Sequence, residues 1–82
     1  MTEQEKNKLN DLTAIFRLVF ENERLEISMD SNTNNVEGWD SLSNIELIDR
    51  IEDLYGIEFP IEVIYEAESV RDWIDFILRT EC

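Results

Sequence analysis

Eighty-two residues, 43% of them apolar, are enough for one small packed domain over residues 1–82 and too apolar for a disordered chain. Twenty acidic side chains against seven basic ones give a formal net charge of −13, which disfavours nucleic acid and anionic membranes and favours basic protein surfaces. With no histidine, one cysteine and two glycines, the chain excludes a Ser-His-Asp or Cys-His apparatus, a cysteine/histidine zinc cluster, an internal disulfide and a glycine-rich phosphate loop.

At the start, Thr2-x-x-Glu5 has the pattern of a capping box, and Leu9, Leu12, Ile15, Phe16 and Val19 recur at helical spacing. This predicts a first helix from about Thr2 to Phe20. Residues 21–40 show no sustained period, and the turn formers of "MDSNTNN" mark a long loop, a length that usually signals function or mobility. Leu25, Ile27 and Met29 alternate within it and are expected to pin it to the core. Asp30, Asn32 and Asn34 occupy the first, third and fifth places of a calcium loop. Asn35 stands where that loop needs glycine and Ser41 where it needs a bidentate glutamate, so the segment is read as a polar connector.

A second helix is predicted from about Ser41 to Tyr55, ending at Gly56. Pro60 suits the first turn of a short third helix over roughly 60–65. Ser69-x-x-Asp72 then caps a fourth, with Val70, Trp73, Ile74, Ile77 and Leu78 forming one stripe. No segment has a strand-like alternation. The expected fold is all-α: a small four-helix bundle with three longer helices, a short third helix and a long loop between the first two. No apolar run is long enough to span a bilayer, and the acidic start does not resemble a signal peptide, so a cytoplasmic monomer is the expectation. Cys82 reads as an incidental terminal thiol.

The stretch "GWDSLSNIELIDRI" concentrates what chemistry the chain offers. Ser41 stands where the loop becomes a helix, and nothing near it in sequence could activate a nucleophile. Asp40, Ser41 and Ser43 are all suited to capping the helix, and Ser43-x-x-Glu46 completes a second capping box. On a helical wheel Leu47, Ile48, Ile51, Leu54 and Tyr55 share the core arc. The opposite arc holds Glu46, Asp49 and Asp53 around Leu42, flanked by Ile45 and Glu52. An apolar side chain ringed by acids can anchor a basic partner, or it can fold over the loop beside a merely solvated face. The wheel leaves both open. Asn44 falls near the buried arc without an assigned role.

Asp40-Ser41-Leu42, an acidic amphipathic helix after it, and then Tyr55-Gly56-Ile57-Glu58-Phe59-Pro60 resemble the acyl carrier proteins over nearly the whole chain. Trp39 before the triplet looks more like stand-alone carriers of specialised pathways, or peptidyl carriers, than the housekeeping fatty-acid carrier. The resemblance implies a non-catalytic carrier. Ser41 would take a 4′-phosphopantetheine arm from coenzyme A through a separate phosphopantetheinyl transferase, and the arm's thiol would hold acyl or related intermediates as a thioester. A phosphodiester placed there would meet the free amides and the positive end of the helix dipole.

The same resemblance makes Asp40 the adjacent motif acid, which helps position the transferase's metal or caps the helix. It makes Leu42, Ile45, Glu46, Asp49, Glu52 and Asp53 the surface presented to partners. These would be the transferase, an acyl-loading ligase or acyltransferase, and downstream enzymes with basic patches. Asp49 departs from the apolar residue more usual at its position. Ile48, Ile51, Leu54, Tyr55, Ile64, Val70, Trp73 and Ile77 are expected to line the core, and the resemblance adds a cavity for cargo. Two tryptophans and four phenylalanines leave that cavity little room. The alternative is an unmodified acidic helical adaptor or regulatory protein with a carrier-like fold.

Overall fold

The apolar periodicity produces the four predicted helices in the computed structural model, which describes residues 2–81. They are α1 (Glu3–Val19), α2 (Ser41–Tyr55), α3 (Ile61–Glu66) and α4 (Val70–Glu81), with no strand among the described residues. Cys82 lies outside those residues. No described helix is long and apolar enough to cross a membrane.

α1 begins as its sequence announces. Thr2 Oγ1 accepts the Glu5 amide at 3.1 Å, and the Glu5 carboxylate accepts the Thr2 amide at 2.8 Å. At its far end Glu21 adopts a left-handed φ of 52°, and the Asn22 amide donates to the Arg17 carbonyl at 3.0 Å. That closure is usually built on glycine, because a Cβ is strained there.

α1 packs against both α2 and α4. Leu12 and Phe16 from α1, Leu47, Ile48 and Ile51 from α2, and Val70, Trp73, Ile74 and Ile77 from α4 fill the interior. A chain of rings crosses these elements. Phe16 meets Trp39 edge-on at 5.0 Å, Trp39 meets Trp73 at 5.4 Å, and Trp73 meets Phe59 at 6.2 Å. Contacts of this kind add about 0.5–1.5 kcal/mol each beyond the area they bury.

One core expectation needs correction, while Tyr55 and Ile64 line the core from its edge. Leu54 is 54% exposed: it stands about 60° round the wheel from Ile51, in the last turn of α2, at the margin of the buried arc. Tyr55 is half-buried because its hydroxyl reaches Asp11 Oδ2 at 2.7 Å and Lys8 Nζ sits 4.5 Å above its ring. Ile64 is also only half-buried.

The long loop is pinned more firmly than its sequence suggests. Ile27 and Met29 are buried and Leu25 half-buried, as expected, but Val36, Trp39 and Ser31 are buried as well. Arg17 Nε donates to the Leu25 carbonyl at 2.7 Å, holding the loop to α1. The expected box at Ser69 and Asp72 takes another form. Asp72 Oδ2 accepts the Glu68 amide at 2.8 Å. The first helical amides of α4, those of Val70 and Arg71, donate to the loop carbonyls of Ser31 at 3.0 Å and Met29 at 2.9 Å. Helix-start donors need acceptors, and a distant segment supplies them.

Candidate functional site

The first turn of α2 explains why Ser41 is left over. Asp40 is the N-cap: its Oδ1 accepts the amides of Leu42 and Ser43, each at 3.0 Å. Ser43 Oγ in turn accepts the Asp40 amide at 2.9 Å. The capping box therefore joins Asp40 to Ser43, and the box read between Ser43 and Glu46 does not form. Two residues do the capping, so the Ser41 hydroxyl is spared. It is exposed at the first position of α2 and makes no hydrogen bond among the described residues.

The same geometry corrects the expectation of free amides at this helix end. Two first-turn donors already belong to Asp40, so what is left for an anion at Ser41 is the Ser41 amide alone, which has no acceptor among the described residues, together with the positive end of the α2 dipole. Hydrogen bonds from the Ser43 amide and hydroxyl, and then from the Leu42 amide, hold the Asp40 carboxyl below the usual carboxylate range.

Ser41 stands on the rim of an open groove of about 670 Å³ between the Asn32–Asn34 part of the loop, the start of α2 and the α3–α4 connection. Trp39 and Trp73, both buried, form its floor. Sequence reasoning left Asn44 unexplained. It lines this groove, and its Oδ1 accepts the Trp39 indole N–H at 3.0 Å. The loop asparagines opposite are organised by their own backbone: Asn32 Oδ1 accepts the amides of Asn34 at 2.7 Å and Asn35 at 3.2 Å. The third calcium-loop place thus serves turn geometry. Asp30 pairs with Arg71 at 3.0 Å.

The outer face of α2 is arranged much as the wheel implies. Leu42 is 79% exposed and Ile45 58% exposed, with Glu46, Asp49 and Asp53 exposed around them. Leu42 does not fold back over the loop. Glu46 has a weak companion in Arg50, 3.5 Å away with both side chains about half exposed, a pairing worth little in water. Glu52 behaves differently: it is half-buried and its Oε2 accepts the Phe59 amide at 2.7 Å, tying α2 to the segment before α3. Sequence reasoning missed Ile61 and Tyr65 on α3, the latter 80% exposed and on the same groove as Ser41. Their i, i+4 spacing within the short helix was the available signal.

Residues 10–77 match the family described as the phosphopantetheine attachment site. Acyl carrier proteins of Treponema pallidum (strain Nichols) and Coprothermobacter proteolyticus are 42% and 32% identical to the chain over 66 and 72 residues. These matches cover 80% and 88% of this chain, and 85% and 79% of the relatives. The solution structure of a holo acyl carrier protein from Geobacter metallireducens shares the fold with a TM-score of 0.79 at 32% identity, covering 87% of this chain and 82% of that one.

Fold and matches together define a small helical carrier of the phosphopantetheine-bearing class. The chain belongs to the acyl carrier protein family, whose members are non-catalytic and whose prosthetic group is 4′-phosphopantetheine. The groove suits such a group: a chain bearing amides would find hydrogen-bonding side chains in Asn44 and Thr33 above an aromatic floor.

Proposed function

We propose that Ser41 is the attachment point of the 4′-phosphopantetheine arm, and that the whole chain works as one carrier domain. The observation that carries this reading is the hydroxyl itself, exposed at a helix start, relieved of capping by Asp40 and Ser43, and opening onto a groove. No base in this chain is needed, because a phosphopantetheinyl transferase brings the activating groups. Asp40 keeps the α2 start rigid through Oδ1, which leaves Oδ2 for the transferase's metal. When bound, the arm supplies a terminal thiol on which an acyl group is held as a thioester.

Leu42 and Ile45 are the apolar anchors of the partner surface, and Glu46, Asp49 and Asp53 steer basic patches on the transferase, on an acyl-loading ligase or acyltransferase, and on downstream enzymes of fatty-acid, polyketide or other specialised biosynthesis. Glu52 contributes its charge to this face while its carboxylate stays fastened to Phe59. The surplus of acid fits work in the cytoplasm among basic protein surfaces.

Co-expression with a broad-specificity transferase tests the assignment. The intact mass should rise by one arm, and Ser41→Ala should abolish the rise while leaving the helical circular dichroism unchanged. A wild-type chain that stays bare with every such transferase, or an S41A chain that still gains the mass, would refute it. The unmodified-adaptor reading predicts the first of those outcomes.

A further inference from the structure

A long alkyl chain tethered at Ser41 would gain about 0.8 kcal/mol for each methylene it buried, so it would enter the interior if a path were open. The structure offers a groove and then a wall. Behind the rim stand Trp39 and Trp73, 7% and 2% exposed, with ring centroids 5.4 Å apart and Phe16 and Phe59 packed against them. Beyond the rings, Leu47, Ile51, Ile74 and Ile77 are fully buried. Close-packed rings do not yield without shifting their neighbours.

The groove in front of that wall is equipped for polar atoms. An indole N–H can only donate, so the Trp39 bond fixes which way the Asn44 amide faces. Asn44 Oδ1 is taken up by the indole, and the Nδ2 hydrogens are left as donors beside Ser41. Thr33 and Asn34 line the opposite bank and are exposed.

We infer that the Trp39–Trp73 wall keeps tethered cargo out of the core, and that the outer groove favours short acyl groups bearing, beyond the thioester itself, a further carbonyl or hydroxyl that Asn44 can engage. Asn44 is thus a positioning residue set by Trp39. The inference rests on Ser41 carrying the arm.

The test loads the intact chain with octanoyl-phosphopantetheine and, separately, 3-hydroxybutyryl-phosphopantetheine, using the corresponding coenzyme A thioesters and a broad-specificity transferase, which releases adenosine 3′,5′-bisphosphate, with loading verified by mass. Octanoyl loading should leave the amide resonances of Ile51, Ile74 and Ile77 in place and change Tm by less than about 1 °C relative to the unacylated arm. The 3-hydroxybutyryl form should shift the Asn44 side-chain amide and the Thr33 and Asn34 resonances, and Asn44→Ala should remove the response at Thr33 and Asn34. Core resonances that move with octanoyl, or a Tm raised by several degrees, would overturn the wall. Equal Asn44 shifts with both cargoes would overturn the preference. A chain that never loads overturns the Ser41 assignment, and this inference with it.

Discussion

Asp40 holds the start of α2 more strongly when ionised than when protonated, and this gives the site a defined response to acid. Its hydrogen bonds depress the folded-state pKa below the unfolded value. The stabilisation is therefore complete above the unfolded pKa and is lost as pH falls through the lower folded one, a window below about pH 4. In an NMR titration the Leu42 and Ser43 amide protons should move together, with a midpoint below that of an ordinary aspartate. A midpoint at or above the ordinary value would remove the cap from the account. Glu21 gives a second residue-scale expectation. Its φ of 52° is a glycine-type conformation, so Glu21→Gly should stabilise the fold by about 0.5–1 kcal/mol, read as a Tm higher by a few degrees. At this scale the sequence was readable where partners are close neighbours. Thr2 and Glu5 form their box as spelled, whereas Asn44 stayed opaque because the position of its partner, Trp39, depends on the path of the whole loop.

Each helix follows its apolar period, and the departures occur where an element takes its end from somewhere else. The wheel of α2 placed Leu47, Ile48 and Ile51 correctly but carried the core arc one turn too far, to Leu54, where the packing has run out. α4 begins at Val70, where Ser69 and Asp72 place it, but what closes its first turn was not readable, since the acceptors for Val70 and Arg71 are the carbonyls of Ser31 and Met29, far away in sequence. The exposed face of α2 yields a prediction of its own. Reversing Glu46 and Asp53 to lysine should lower the rate of arm transfer several-fold at low salt, with the deficit shrinking as salt rises and Tm nearly unchanged. A deficit insensitive to salt would point instead to damaged packing.

A net charge of −13 on 82 residues sets the behaviour of the molecule as a whole. With a Cα radius of gyration of 11.7 Å and extents of 32 × 27 × 21 Å, most pairs of charges lie within one screening length of about 30 Å at 0.01 M, whereas at 0.1 M that length falls to about 10 Å and many pairs lie beyond it. Folding compresses this charge, so Tm should climb as sodium chloride rises from millimolar to a few tenths molar. A flat or falling dependence would mean that the attractive pairs, such as Arg71 with Asp30, outweigh the repulsion. The balance of acids and bases was legible from composition. Their placement was legible only for α2, where periodicity separates an outer face from an inner one.

The chain has only two tryptophans, and both lie under the groove beside Ser41 with ring centroids 5.4 Å apart. Two indoles this near, tilted by 58°, are placed for their ultraviolet transitions to couple. Ultraviolet emission and the paired-band dichroism of coupled chromophores would then report one place in the protein, giving a label-free optical signal for anything that seats above them.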